Sequence, residues 1–522
     1  MKPVRIIPRL DVKGQNLVKG INLEGLRVLG LPERFAERYF LDGADELIYI
    51  DAVASLYGRN SLDDVVRRTS EKIFIPITVG GGIRTIDDIR RLLRAGADKV
   101  AINTAAIQNE KFISEAAHVF GSQCIIVSIA AIKKAAGQYE AYTDYGRIPS
   151  GKEVISWARR AEELGAGEIL ITSIGQDGTG GGYDVDLVSA VANAVKIPVI
   201  ACGGAGNSRQ VEEVIRKSSI DAVSAASLFH YNVLTQMGIE KREEGNVEYL
   251  KKFVASSGSI LKKIEPTSIA DLKSHLAGSG IPCVSAAAMH RTFNWDPAEL
   301  PNILKQASPS VVLVDYGRSN MFSVNLAMQR VGARVEISDD PARILKADKL
   351  LVAGVGAFGD GMQGLRDRGL IPVIKEFVRS GKPVLGICLG MQLFMTEGVE
   401  FGVHPGLGLI PGRTVRLAAG QGDDTSIRIP HVGWNIIQAT AGGPDWSNEQ
   451  LLAGCNSGDF LYFVHSFAVV PDNAATIVAE TRYGNNTFCS VIRDKNVIGC
   501  QFHPERSGAI GLTIYKNFVF HC

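Results

Sequence analysis

A cysteine set between glycines carries the most reactive chemistry in this chain. Cys388 lies in GICLG, with Gly386 and Gly390 two residues to either side, after the strand-like PVLGI and before a helical run. Glycines there permit the sharp turn that exposes a nucleophile, with cysteine in place of serine, and a following helix N-terminus favours the thiolate. Taken alone, GxCxG also fits a buried cysteine beside a tight turn. His503 and Glu505 in QFHPERS supply what a nucleophile needs: two residues apart on extended backbone they point the same way, so Glu505 can fix the imidazole that serves Cys388 as base. The backbone amides of Gly354, Val355 and Gly356, in a turn after ADKLLVA, are candidates for an oxyanion hole. His465 in VHSF is read as structural.

The N-terminal half carries a different set. Gly81 and Gly82 follow one strand-like run and Gly203 and Gly204 another; their amides suit phosphate, as do Asn103 with Thr104 and Ala226 with Ser227 at two further run ends. Glycines that merely allow tight turns are the plainer reading, but the pairing recurs. Asp11, Lys19, Asp51 and Asp177 are polar groups near strand ends, and Asp11, among apolar neighbours, is the best acid/base candidate. At strand starts stand Arg5, Glu46, Lys99 and Glu168, four charges of alternating sign, which suits either solvated termini or a ring of salt bridges acting as a gate.

Holding these residues requires two architectures. RIIPRLDV, ELIYIDA, IPITVGG, KVAINTA, CIIVSIA, EILITSI, PVIACGG and DAVSAAS are eight apolar runs separated mostly by helical patterns such as 85–95 and 152–164. That alternation predicts a (β/α)8 TIM barrel of parallel strands, with its chemistry at the strand C-termini. The text after Gly81 echoes that after Gly203, 122 residues on, and carried back to the first strand an offset of about 120 residues sets Asp11 against Ala130: two similar half-barrels, suited to a ligand with two similar ends. From Ser310 a second alternation (SVVLVDYG, ARVEISDD, ADKLLVAG, PVLGIC, LYFVHSF, NVIGCQF) predicts an α/β domain with a mostly parallel central sheet. The expected domains are 1–284, a barrel with a helical extension, a linker over 285–308, and 309–522.

Composition narrows the function classes. The 522 residues exceed a single core, and 56 Lys+Arg against 55 Asp+Glu leave no basic field for nucleic acid. No apolar run reaches the roughly 20 residues of a membrane span, and MKPVRIIPRLDV has no apolar signal region, so a cytoplasmic protein is expected. Eight cysteines without a CxxC pair suggest neither a disulfide scaffold nor a zinc site, and no metal is expected.

GICLGMQ, QFHPERS and GVGAFGDGM resemble class I, triad-type glutamine amidotransferases, and PHVGWN (430–435) narrows the resemblance to the histidine-pathway members. Such domains hydrolyse glutamine through a thioester and release ammonia. RIIPRLDV, the loop around Lys19, TVGGGIRT, DKVAIN, DGTGGGYD (with Asp177 and Gly178) and AASLFH resemble the cyclase of imidazole glycerol phosphate synthase. Residues 2–230 and 310 to the end are covered, implying cyclase and glutaminase on one chain. The resemblance implies no cofactor and two small-molecule substrates: glutamine, and the bisphosphorylated ribulosyl formimino carboxamide ribonucleotide (PRFAR), converted to imidazole glycerol phosphate and the carboxamide nucleotide AICAR. Ammonia would travel internally, entering the barrel where its strands begin.

The chain departs from the family where a second catalytic aspartate closes strand five: SIDA becomes Ser128, Ile129, Ala130, Ala131. Alanine transfers no proton, so the cyclase step is expected to be impaired. Ala353 replaces a usual proline, Arg9 a usual cysteine, and Gly175 and Gln176 before Asp177 also differ. Two other readings stay open: an amidotransferase whose barrel serves a different phosphorylated acceptor, and a non-catalytic phosphometabolite sensor, which an intact Cys388, His503 and Glu505 opposes.

Overall fold

The computed structural model describes residues 2–54, 62–237, 263–289, 308–317, 321–420, 427–440, 446 and 449–522. Its contacts divide into two units: Met1–Ala116 with Ile125–Ala286 and Gln421–Arg428, and Ala117–Cys124 with Ala287–Gly420 and Ile429–Cys522.

In the first unit the eight apolar runs form Arg5–Lys13, Leu47–Asp51, Ile77–Gly80, Lys99–Ile102, Ile125–Ala135, Glu168–Ser173, Val199–Cys202 and Ala222–Ala225. Each pairs in parallel with the next, and Arg5 opposite Ala222 closes the barrel. Ile7, Ile48, Ala101, Ile126, Leu170 and Ile200 fill its interior, which is why the strands read as apolar throughout. The helix expected over 85–95 is Ile86–Ala95: Thr85 and Asp88 form a reciprocal capping box, and Ile89, Leu92 and Leu93 face inward. Its counterpart Ser208–Lys217 starts 122 residues later and is capped by Asn207, so the echo in the sequence is an echo in structure.

Two antiparallel hairpins were not foreseen. Asn16–Ile21 with Glu24–Gly30 extends the first barrel strand, and Gln138–Thr143 with Ile148–Glu153 extends the fifth. Both rise from strand C-termini and carry side chains into the barrel mouth. Of the helical text expected over 231–306, Ser227–Met237, Ile269–Gly278 and Ala286–Met289 are seen; 238–262 and 290–307, which include most of the expected linker, lie outside the described residues.

The second unit holds an eight-stranded sheet, and only part of it is parallel. Arg334–Ser338, Ser310–Val314, Lys349–Gly354, Val384–Cys388 and Val497–Cys500 run parallel, whereas Asn486–Asp494, Ile477–Tyr483 and Gln438–Ala439 continue antiparallel. LYFVHSF, expected in this sheet, is instead Phe460–His465, paired with His431–Ile436, followed by Phe467–Pro471 in a separate four-stranded sheet. The cause is a change of direction at Ser466 that apolar periodicity does not reveal.

Candidate active sites

In the second unit, Cys388 ends a central strand with φ 50° and ψ −105°, a conformation that a cysteine adopts only when its surroundings impose it. A Cβ at residue 390 would stand 1.8 Å from the carbonyl oxygen of Val352, so only glycine lets the chain turn this tightly. The following helix, Leu389–Leu393, is one short turn rather than the longer run expected. Gly354 is the register partner of Cys388, so the Gly354–Val355–Gly356 turn leaves the sheet beside the thiol.

His503 follows the neighbouring strand, and its Nδ1 is 2.8 Å from Oε1 of Glu505, both side chains about 5% exposed. The expected reason for that contact needs correction. Residues 504–506 form a 3-10 turn, not extended backbone, and the turn swings Glu505 back towards the ring. Burial alone would lower the His503 pKa, but the facing Cys388 and Glu505 outweigh it and raise it well above the ordinary value. For Glu505, burial is likewise outweighed, here by His503, and its pKa falls. Nε2 of His503 is buried and is the ring nitrogen that Glu505 leaves to the facing Cys388. Cys388, His503 and Glu505 therefore meet in one buried site, an arrangement able to supply a nucleophile, a base and a carboxylate that orients it.

Sequence reasoning missed four side chains here. Nε2 of Gln501 donates to Sγ of Cys388 at 3.4 Å, and Gln392 donates to Gln501 at 3.2 Å. Tyr515, on the C-terminal helix, donates to Oε2 of Glu505 at 2.8 Å. Glu400 accepts from the amide of Phe358 at 2.8 Å, just beyond the glycine turn, and burial pushes its carboxyl up to about 7. QFH offered a signal for Gln501, whereas Tyr515 and Glu400 reach the site only through tertiary packing. Tyr515→Phe removes one hydrogen bond to a charged group while keeping the ring. Its glutaminase kcat should fall about tenfold with KM little changed; an unaltered kcat would show that Glu505 is held without it. His465 contacts His431 at 3.1 Å and the carbonyl of Phe467 at 2.8 Å, and burial pushes its pKa down to about 4, so it is neutral.

In the barrel, a cavity of about 960 Å³ counting its open mouth is lined by Arg9, Asp51, Gly81, Gly82, Asn103 and Thr104 among others. Gly81 has φ 101°, and a Cβ there would lie 2.6 Å from the carbonyl oxygen of Asp51, so the loop needs glycine. Nδ2 of Asn103 is bonded to the carbonyls of Ser128 and Tyr142, and Oγ1 of Thr104 accepts from the amide of Asp144. Gly203, Gly204, Ala226 and Ser227 do not line this cavity, although Oγ of Ser227 is buried without a partner among the described residues. Gly178 takes a left-handed turn next to Asp177, and Lys19 and Asp177, read separately from the sequence, form a buried ion pair. Asp11 is 1% exposed, and its Oδ1 accepts from Nε of Arg9 at 2.8 Å. The same guanidinium reaches Oγ1 of Thr172 at 3.3 Å. Ala130 lies on the cavity wall.

At the opposite, strand-start end the four charges close on one another. Arg5 contacts Glu46 at 2.7 Å and also pairs with Glu168; Lys99 contacts Glu46 at 2.6 Å and Glu168 at 3.0 Å, and none is more than 1% exposed. Burial would raise the Glu46 pKa, but Arg5 and Lys99 outweigh it and hold it at about 2. Among the described residues, no group of three or more His, Cys, Asp or Glu is arranged to hold a metal ion, and no helix is long and apolar enough to cross a membrane.

Residues 5–235 match the family described as histidine biosynthesis protein, and residues 312–522 match glutamine amidotransferase class-I. The first region is 58% identical over 206 residues to an imidazole glycerol phosphate synthase subunit HisF from Legionella pneumophila, covering 40% of this chain and 97% of that protein. Proteins of the same name from Methanopyrus kandleri and Bacillus cereus are 50% and 48% identical over 249 and 245 residues, covering 44% and 47% of this chain and 92% and 97% of theirs. A closed parallel barrel with these relatives, followed in one chain by an amidotransferase domain with a buried cysteine, histidine and glutamate, makes this chain a member of the imidazole glycerol phosphate synthase family, an enzyme of histidine biosynthesis using glutamine-derived ammonia.

Proposed function

We propose that Cys388 attacks the glutamine carboxamide, with His503 as base and then acid, Glu505 orienting it, and the amides of the 354–356 turn holding the oxyanion. Thioester hydrolysis returns glutamate, and the ammonia serves the barrel, where PRFAR is converted to imidazole glycerol phosphate and AICAR without a cofactor. The observation that carries this reading is the buried Cys388, His503 and Glu505 set in the same chain as a barrel whose cavity combines a glycine loop at 81–82 with polar groups. The two PRFAR phosphates would bind at Gly81, Gly82, Asn103 and Thr104 and at Gly203, Gly204, Ala226 and Ser227, with Lys19, Asp51, Asp177 and Gly178 nearby and Asp11 as acid/base. The ring of Arg5, Glu46, Lys99 and Glu168 would gate ammonia. The parts are a cyclase over 1–284, a linker over 285–308 and an amidotransferase over 309–522, working in the cytoplasm.

Ala130 leaves the cyclase without the carboxylate that the family resemblance places there, so turnover of PRFAR is slow. Ala130→Asp should raise ammonium-dependent formation of imidazole glycerol phosphate about tenfold to a hundredfold. A second reading, a barrel acting on another phosphorylated acceptor, is favoured by one observation: Arg9 adds a buried guanidinium to the cavity wall. Failure of Ala130→Asp to form imidazole glycerol phosphate from PRFAR and ammonium would favour that second reading.

A further inference from the structure

The wall around Ala130 is not empty of chemistry. Tyr145 comes from the hairpin that extends the fifth barrel strand, with φ 58°, a backbone conformation that a tyrosine seldom takes. Its ring packs against the small cluster of Leu23, Ala130 and Ile174, and it lines the same cavity as Arg9, Ala130 and Thr172. The guanidinium of Arg9 lies 5.9 Å from the ring centroid and that of Arg147 5.6 Å. Oδ2 of Asp11, the oxygen not taken by Arg9, is buried, and the Asp11 carboxylate faces the Tyr145 hydroxyl.

We propose that Tyr145 is the second proton-transfer group of this barrel, its phenol doing for the substrate what a carboxyl at position 130 would otherwise do. The inference rests on the cyclase reading above. As the lone pair of ammonia forms a bond to the substrate carbon, Asp11 accepts the proton that the nitrogen loses. The O–H bond of Tyr145 breaks, and its proton passes to the nitrogen that departs as the substrate's C–N bond opens. The phenolate, its ring centroid 5.9 and 5.6 Å from two guanidinium groups, then recovers a proton from the Asp11 carboxyl, and both residues return to their starting states. Burial, and then the charge of Asp11, raise the Tyr145 pKa well above the ordinary value. The phenol is therefore protonated at working pH and a weaker acid than a carboxyl, so turnover through it is slow rather than absent.

The test uses the full chain with PRFAR and excess ammonium. Tyr145→Phe keeps the ring against Ala130 and removes only the hydroxyl. Its kcat for imidazole glycerol phosphate should fall at least about a hundredfold, with KM changed less than about twofold. In an Ala130→Asp background, the same change should cost less than about threefold, because a carboxyl again supplies the proton. An unchanged kcat in Tyr145→Phe beside a faster Ala130→Asp enzyme overturns the proposal and leaves the cyclase reading standing. Equal losses in both backgrounds overturn it too, because they assign the hydroxyl a packing or binding role. If neither the unaltered chain nor Ala130→Asp forms product, the cyclase reading fails and the proposal with it.

Discussion

Replacing Cys388 with alanine is expected to abolish glutamine hydrolysis, with kcat falling on the order of 10⁴- to 10⁶-fold, because no other group can form the thioester. His503→Ala should lose a comparable amount, and the double variant should lose little more, because base and nucleophile act as one unit. Hydrogen bonds and burial hold these groups: Glu505 takes Nδ1 of His503, which leaves Nε2 for Cys388. An electrophilic glutamine analogue should label Cys388 and none of the other seven cysteines. Several of these are sealed off; burial pushes the pKa of Cys489 and Cys500 far above the ordinary thiol value. In an Ala130→Asp background, ammonium-dependent product formation should persist in Cys388→Ala, separating the loss from misfolding. Labelling at another cysteine, with hydrolysis intact in Cys388→Ala, would refute the assignment.

The eight barrel strands were legible because parallel strands buried on both faces leave uninterrupted apolar runs. The hairpins were not, since Gln138–Thr143 alternates buried and exposed residues within polar, lysine-bearing text that resembles a loop. That omission hid Tyr145. Residues 9 and 11 share one face of a strand, so the contact of Arg9 with Asp11 was open to the same two-residue reasoning applied to His503 and Glu505. Conversely, that reasoning named Glu505 for a geometry it does not have, because Pro504 opens a 3-10 turn. Gln392, Glu400 and Tyr515 lie 4, 12 and 127 positions from Cys388 with no periodicity linking them, and only the folded sheet and terminal helix bring them near. The pairing of Cys388 with His503 was readable from motif chemistry across 115 residues, whereas contacts made by residues outside any motif, those of Gln392, Glu400 and Tyr515, were not.

Lys99→Ala should produce the largest loss of stability of any single change considered. Lys99 is fully buried and touches both Glu46 and Glu168, so its removal leaves two buried carboxylates with Arg5 as their remaining partner in the ring. Breaking a buried pair in this way costs about 3–5 kcal/mol. The loss has a defined pH dependence. Glu46 has a folded pKa of about 2 against an ordinary 4.5, so it contributes stability above about pH 4.5 that disappears as pH falls towards 2. The variant lacks one of the two cations responsible, so the gap between unaltered chain and variant, measured by denaturant unfolding, should be widest near neutral pH and narrow on acidification. A gap independent of pH would mean that the loss reflects packing of the lysine stem. The same variant tests the proposed gate. In an Ala130→Asp background, where turnover is fast enough to follow, product formed per glutamine hydrolysed should fall while ammonium-dependent cyclisation persists. Normal coupling in a folded variant would leave the ring a structural brace, with ammonia reaching the barrel by some other route.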